Sequence, residues 1–156
     1  MIGFYTKETN FNLKSRRALK NWIKQVIENH GGKCKDITVI LCSDPFLLDM
    51  NRQFLGHDYY TDIITFDYCE GKDISGELYI SIDTVKANAI EYGESFLTEL
   101  HRVIIHGVLH LLGFDDHTDK DIAGMRAAED ESLVMLESYF LKESTKKPEK
   151  TSAGNK

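Results

Sequence analysis

The amino-acid sequence predicts an α+β fold, with a small mixed sheet of three to four strands packed against about five helices. Short runs of β-branched residues, each as long as a strand, alternate with longer segments whose apolar residues recur every three or four positions. The length of 156 residues suffices for one sizeable core and is too small for two ordinary domains. We therefore expect one domain over residues 1–143 and, because apolar periodicity ends there, a disordered tail over residues 144–156.

Apolar stripes and capping residues predict the helices. A Ser-Asp-Pro sequence supplies a capping side chain followed by proline in a first turn, and glycines follow two of the stripes where a helix would end. The second half of the fourth helix is apolar on nearly every side except at two histidines, which indicates a central, buried helix. The predicted helices are residues 11–29, a helix that opens at Ser43 and ends at Gly56, residues 83–92, Phe96–Leu112 and a helix from Thr118 to about Leu141.

Three short runs rich in β-branched and aromatic residues predict the strands. They are Ile37–Cys42, Asp62–Tyr68 and Gly76–Ser81, with residues 2–5 as a candidate fourth strand. The glycine-containing segment between the second and third runs is short enough for a hairpin. These runs make up the small sheet of the predicted fold.

Composition and charge exclude several classes of protein. The formal net charge of −6 removes the usual global sign of a nucleic-acid partner, so such binding would need a local basic patch. The basic run between Lys14 and Lys24 is more typical of a solvated surface. No apolar stretch reaches the roughly 20 residues of a membrane helix, and the first residues lack the pattern of a signal peptide. The three cysteines have no CxxC spacing and indicate reduced thiols, so we expect a cytoplasmic protein without a membrane partner.

The residues with the clearest chemical meaning are two histidines on the predicted fourth helix. His106 and His110 are four positions apart, so their rings lie on one helix face and can converge on one metal ion. Gly113 follows the last turn and can reverse the chain, and the Asp-Asp-His sequence of residues 115–117 supplies three further candidate donors. Three protein ligands leave a fourth tetrahedral position open to water, which is typical of a catalytic zinc.

One residue disfavours a peptidase function. The spacing resembles the extended zinc motif of the metzincin proteases, HExxHxxGxxH, and so predicts a metzincin-like metal helix. Those proteases carry a glutamate after the first histidine as the general base, whereas this chain carries Gly107. Without that carboxylate the peptidase mechanism lacks its proton acceptor.

The sequence resembles the YbeY family of bacterial endoribonucleases, whose signature is HGxLHLxGYDH. Residues His106–Phe114 agree with it almost residue for residue, Thr61–Phe66 is similar to the family's TDVLSF strand, and Gly76–Ser81 is similar to its GDIxIS strand. The resemblance implies a single-strand-specific, zinc-dependent endoribonuclease with one Zn²⁺ per chain, in which His106 and His110 are metal ligands and catalytic residues. It also implies action on the 16S rRNA precursor in 3′-end maturation and in ribosome quality control, with the small ribosomal subunit as a partner.

The third metal ligand is the first departure from the family signature. The family's third histidine comes six residues after the second, where this chain has Asp116, followed by His117. A carboxylate is an acceptable zinc ligand, so either Asp116 binds directly or a one-residue bulge brings in His117. The unchanged spacing to Gly113 favours Asp116.

The second departure is Leu55, which stands where the family usually carries an arginine thought to contact phosphate. His57 is a candidate partial replacement, although a role as an exposed loop histidine is the commoner interpretation. Tyr60, just before the second predicted strand, is a candidate for stacking on RNA bases, although tyrosines at such junctions more often serve packing. We expect His57 and Tyr60 to be the substrate-binding residues.

Three functions remain open from the sequence. The first is the endoribonuclease. The second is a ribosome-associated assembly factor with a mainly structural metal. Leu55 and the acidic net charge both favour this second function. The third is a metal-dependent hydrolase of another substrate. For an enzyme, Glu99 and Asp115 are candidate proton acceptors, although both are more typical of surface groups or of groups that support a ligand.

Overall fold

A mixed sheet is the scaffold of the protein, of which the computed structural model describes the backbone of residues 1–155 and the side chains of residues 1–142. Within that part of the chain the sheet has four strands, β1 (Ile2–Lys7), β2 (Lys33–Cys42), β3 (Ile63–Asp67) and β4 (Asp73–Ser81). Their order is β1-β2-β4-β3. Strand β2 runs parallel to β1 and β4, and the edge strand β3 runs antiparallel to β4, so the predicted hairpin is confirmed.

Five α-helices surround this sheet within the described residues, and the predicted α+β class is confirmed. They are α1 (Arg16–Asn29), α2 (Asp44–Met50), α3 (Ile82–Tyr92), α4 (Phe96–Leu111) and α5 (Asp119–Asn155). The hydroxyls of Ser43, Ser81 and Ser95 accept hydrogen bonds from backbone N–H groups of the first turns of α2, α3 and α4. A π-helical turn, Asn51–Leu55, continues α2 and ends at Gly56, as the sequence predicts.

The predicted start of the first helix, residue 11, is wrong. The helix begins at Arg16, because Ser15 adopts a left-handed φ of 60° that a continuous helix does not allow. The preceding residues cover the core instead. Leu13 is 3% exposed, and the ring of Phe11 packs edge-on against that of Phe96 with centroids 5.4 Å apart.

Two strands begin earlier than their apolar runs. Strand β2 begins at Lys33 and β4 at Asp73, and these two polar residues pair across the strands. The register shifts between Cys34 and Ile37. Backbone pairing therefore continues into residues without apolar alternation, which is why hydrophobic patterning missed them.

Helix α4 is the central element of the core, as its composition predicts. It contacts β3 and β4 on one side and the helices α1, α3 and α5 on others. Burying an aliphatic side chain fully contributes about 1.5–3 kcal/mol. The α4 residues with an exposed fraction of 0% are Leu100, Ile104, Ile105, Val108 and Leu109.

Two expectations from the sequence concern membrane-spanning helices and the C-terminal tail. Among the described residues, no helix combines the length and the apolar character that spanning a membrane requires. The predicted disordered tail, residues 144–156, lies outside the residues whose side chains are described. The boundary of the domain at residue 143 therefore stays a prediction.

One buried histidine of α4 lies away from the two predicted metal ligands. His101 is 7% exposed and packs between the rings of Trp22 and Phe140, with centroid distances of 6.3 Å and 5.7 Å. Burial lowers the pKa of His101 from 6.5 to about 4, because the charged ring loses its hydration.

We predict that His101 makes the fold sensitive to acid. Its folded pKa lies below its unfolded value, so the unfolded chain takes up the proton first, and stability falls as the pH drops from about 6.5 towards about 4. The loss approaches about 3 kcal/mol. Urea denaturation across this pH range should show this loss in the wild type and a correspondingly smaller loss in His101→Phe. The exposed His57→Gln variant is the control and should follow the wild type; equal pH dependence in all three proteins would contradict the prediction.

Candidate metal centre

Two histidines of α4 and an aspartate beyond the helix converge on one point. His106 Nε2 lies 3.1 Å from His110 Nε2, and Asp116 Oδ2 lies 3.6 Å and 3.4 Å from these two atoms. Among the described residues, these three side chains form a group whose donor atoms are close enough to hold a metal ion. A tetrahedral ion with bonds of about 2.0–2.1 Å separates its ligand atoms by about 3.3–3.4 Å. The three distances fit such an ion.

The turn after α4 brings Asp116 to the histidines. Gly113 has a φ of 102°, a conformation that favours glycine. Its N–H donates to His110 O, and the N–H of Phe114 donates to Leu109 O, each at 3.0 Å. Bonds of this pattern end a helix and reverse the chain, so the glycine stop that the sequence predicts directs the following residues back towards α4.

Hydrogen bonds at the far nitrogens fix the orientation of both rings. His110 Nδ1 lies 2.9 Å from Phe114 O, and His106 Nδ1 lies 2.7 Å from Glu129 Oε2. A carbonyl and an ionised carboxylate can only accept, so each Nδ1 donates its N–H. Each neutral ring then directs the Nε2 lone pair towards the other ring and towards Asp116. These lone pairs repel one another, and a cation between them would turn the repulsion into ligation.

The convergence point is open to solvent. The exposed fractions of the side chains are 24% for His106, 27% for His110 and 42% for Asp116. A structural metal site is normally closed by four protein ligands, whereas a catalytic site keeps one position for water or substrate. The three donors and the open side of this group match the second arrangement rather than the first.

Two clefts meet at the donor group. The first has a volume of about 310 Å³ and extends towards α3 and α5, and the second has a volume of about 470 Å³ and follows the edge strand β3. The residues that line both clefts are Asp62, His106 and Asp116. An extended ligand that passes from one cleft to the other therefore crosses the donor group.

Glu129 connects the donor group to the interior of the protein. Its side chain is 5% exposed, and while Oε2 accepts from His106, Oε1 accepts from Arg102 at 2.9 Å. A second nitrogen of Arg102 lies 2.8 Å from Asp130 Oδ1. A carboxylate that holds a ligating histidine fixes its tautomer and makes the ring a better ligand.

The charges around His106 and Glu129 favour the ionised form of each. Burial disfavours the charged His106 ring, but the hydrogen bond and charge of Glu129, with Asp62 and Asp116, outweigh burial and raise the pKa of His106. Burial likewise disfavours the Glu129 carboxylate, but hydrogen bonds from His106 and Arg102 outweigh it and lower the pKa of Glu129. The surroundings of the donor group thus favour a positive charge at that point.

Two further carboxyl groups face the clefts. Burial raises the pKa of Asp62, opposed by the charge of His106, and the side-chain amide of Asn88 donates to Asp62 Oδ2 at 3.4 Å. Glu99 is 5% exposed and lines the first cleft. Burial also raises its pKa, and the charge of Asp62 adds to this effect.

Glu129 and Asp62 are the site residues that sequence reasoning missed. Glu129 lies on the apolar stripe of α5, four residues after Met125 and three before Ser132, and all three are buried. The sequence did contain a sign of the role of Glu129. It is a glutamate on a helix face that is otherwise buried, and a buried charge needs a partner. Asp62 directly precedes the apolar strand β3, and a carboxylate at a strand end gives a much weaker signal.

Several predicted site residues lie outside the donor group. His117 is exposed and does not belong to it. His57 Nδ1 is hydrogen-bonded to the hydroxyl of Tyr59 at 2.9 Å, and Tyr60 is 60% exposed; neither His57 nor Tyr60 lines the two clefts. Leu55, in contrast, forms part of the wall of the second cleft.

Gly107 lies where α4 packs close to side chains of the sheet. A Cβ at this position would lie 2.8 Å from Ile63 Cδ1 and 2.9 Å from Leu78 Cδ2, distances at which both side chains must shift. Leu78 is fully buried. The strands β3 and β4 thus occupy the space that a side chain at position 107 would need.

The comparisons with known proteins agree with this architecture. The family model described as Endoribonuclease YbeY matches residues 4–137. Proteins named Endoribonuclease YbeY from Porphyromonas gingivalis and Phocaeicola vulgatus are 48% and 46% identical to this chain over 136 residues, which is 87% of the chain and 90% and 99% of those relatives.

The chain belongs to the YbeY family.

A solved structure also resembles the chain. The solution structure of TM1509 from Thermotoga maritima has a TM-score of 0.64 and 29% identity, and the match covers 100% of both chains. The fold of this YbeY protein is therefore shared over its full length with a protein solved by experiment.

We predict that Glu129→Gln lowers the affinity of the protein for Zn²⁺ by about 10- to 100-fold. The amide keeps the size of the side chain but removes the charge that holds His106 Nδ1–H. Competition with a chromophoric chelator would measure the affinity. Asp130→Asn is the matched control, because Asp130 contacts the same Arg102 but not a histidine. A loss of affinity in the control as large as that in Glu129→Gln would contradict this role.

Proposed function

We propose that the protein is a zinc-dependent endoribonuclease that cleaves single-stranded RNA. The observation that carries the proposal is the convergence of His106 Nε2, His110 Nε2 and Asp116 Oδ2 at the junction of two open clefts. The name Endoribonuclease YbeY, carried by relatives that are almost half identical in sequence, supports the same activity. The proposed metal ligands are His106, His110 and Asp116.

The chemistry of the donors favours zinc. Two imidazoles and one carboxylate in a tetrahedral arrangement are typical ligands of catalytic Zn²⁺, whereas Mg²⁺ and Ca²⁺ prefer oxygen ligands in larger number. Bound zinc would supply Lewis acidity, either by lowering the pKa of a bound water or by polarising a phosphoryl oxygen.

The chain's own residues have defined tasks in this proposal. Glu129 and the carbonyl of Phe114 hold the two imidazoles in the tautomer that ligation requires. Arg126 lines the first cleft with 61% of its side chain exposed, and its guanidinium can contact a phosphate of the bound strand. Tyr60 and His57 remain candidates for contacts with bases beyond the clefts.

The cellular role rests on the resemblance alone. We propose that the substrate is the 16S rRNA precursor, that the protein acts with the small ribosomal subunit in 3′-end maturation and quality control, and that it works in the cytoplasm. The exposure of the donor group supports an enzyme over an assembly factor, because a mainly structural metal would be enclosed.

We predict that the zinc-loaded protein cleaves single-stranded RNA and pre-16S rRNA, and that a chelator abolishes the cleavage. The expected effect of His110→Ala is loss of cleavage with the fold intact, judged by circular dichroism. If His110→Ala instead lowers the melting temperature while the wild type cleaves no RNA, the assembly-factor role is supported. Turnover of ester or peptide substrates without cleavage of RNA would indicate a different hydrolase.

We further predict that Asp116→Ala lowers the zinc content more than His117→Ala. Asp116 lies within 3.6 Å of both Nε2 atoms, whereas His117 is exposed outside the donor group. Native mass spectrometry of the purified variants measures the stoichiometry. The opposite order would show that His117 replaces Asp116 as the third ligand.

A further inference from the structure

A nuclease built on this donor group needs a proton acceptor. The position that supplies the acceptor in the metzincin motif carries no carboxylate in this chain. Position 107, directly after the first histidine, is a glycine. A Cβ at this position would lie 2.8 Å from Ile63 Cδ1 and 2.9 Å from Leu78 Cδ2, so a longer residue would have to displace the ends of these two side chains. Because this chain has no carboxylate at position 107, a carboxylate that reaches the reacting atoms comes from another element.

A different carboxylate lies beside the site. The side chain of Ile63, the first residue of β3, lies close to Gly107 of α4, which directly follows the proposed ligand His106. The residue before Ile63 is Asp62, whose backbone carbonyl accepts from the N–H of Ser81 at 2.9 Å, so the backbone of this strand end is fixed.

Asp62 lies at the junction of the two clefts. It is the only residue, apart from the proposed ligands His106 and Asp116, that lines both clefts among the described residues. A strand that passes between the clefts crosses these three side chains. Glu99 and Asp115 fit less well, because Glu99 lines only the first cleft and Asp115 lines a separate groove beside Gly113.

The contacts of Asp62 leave it available to a ligand. Asp62 Oδ2 accepts from the side-chain amide of Asn88 at 3.4 Å, a long contact, and backbone N–H groups of Asp62 and Ile63 also favour its charged form. Within the described residues, no arginine or lysine forms an ion pair with it. The carboxylates of Glu129 and Asp130 are in contrast held by Arg102.

We propose that Asp62 is the catalytic proton acceptor for the attacking oxygen, in place of the carboxylate that position 107 lacks. This inference rests on the proposed ribonuclease activity. The O–H bond of the attacking water or ribose 2′-hydroxyl breaks and its proton moves to the Asp62 carboxylate. The new P–O bond forms, the bond from phosphorus to the leaving ester oxygen breaks, and that oxygen takes up a proton from solvent while Asp62 releases its own.

The test compares Asp62→Asn with Asp73→Asn in the zinc-loaded, full-length protein. Both changes replace a carboxylate by an amide next to or on a strand of the sheet, but Asp73 lies on β4 and lines neither cleft. We expect Asp62→Asn to lower kcat for a single-stranded RNA by about 10²- to 10⁴-fold, with KM, zinc content and melting temperature close to those of the wild type. Asp73→Asn should keep kcat within about twofold of the wild type, and Asp62→Glu should restore part of the activity lost in Asp62→Asn.

A second measurement does not depend on catalysis. In the Co²⁺-loaded protein, the visible absorption follows the ionisation of metal-bound water. A carboxylate close to that water disfavours its deprotonation, so Asp62→Asn should move the midpoint to lower pH by about half a unit or more, whereas Asp73→Asn should leave it in place.

The outcomes separate the two proposals. If the wild type cleaves RNA and Asp62→Asn retains its kcat, or if the Co²⁺ midpoint is the same in both proteins, Asp62 is not the acceptor and the nuclease assignment stands. Loss of zinc together with activity in Asp62→Asn would also overturn the inference, since it would make Asp62 a metal ligand. A wild type that cleaves no RNA overturns the proposed function and this inference with it.

Discussion

The hydrogen bond between Glu129 and His106 is the contact on which the candidate metal centre depends. It joins α5 to α4 across 23 residues of sequence, and it makes the Nδ1 of His106 a donor, so that Nε2 faces Asp116 and His110. A buried glutamate would be unfavourable alone, but Arg102 neutralises it from the side opposite the histidine. The rigid packing of two helices thus fixes the direction of a lone pair, which is what ligation requires.

The second constraint is the absence of a side chain at Gly107. A Cβ there would lie less than 3.0 Å from the ends of Ile63 and Leu78, and Ile63 also lines the second cleft. A glutamate at this position would therefore have to displace these side chains. Compared with the metzincin motif, this chain lacks the carboxylate at position 107, and side chains of β3 and β4 pack close to α4 there.

Sequence reasoning predicted the parts of the structure that depend on local patterns. The central helix, the left-handed Gly113 and the spacing of His106 and His110 follow from periodicity, capping and the helix repeat, and the structure has all of them. The partnership of Glu129 with His106 depends on how α5 packs against α4, which no local pattern specifies. The start of α1 was missed for a similar reason, since Leu13 is held by tertiary burial rather than by helix propensity.

The acidity of the site also has a consequence for a polyanionic substrate. The first cleft is lined by four carboxylates, those of Asp62, Glu99, Asp116 and Glu129, and by two guanidinium groups, those of Arg102 and Arg126. Without a metal, the formal charge of this cleft is negative, and it would repel the phosphates of a nucleic acid. A divalent cation between the histidines brings the formal charge to zero and leaves the exposed Arg126 as a contact for phosphate. In an acidic protein such as this one, the proposed metal would thereby also make the cleft electrostatically acceptable to RNA.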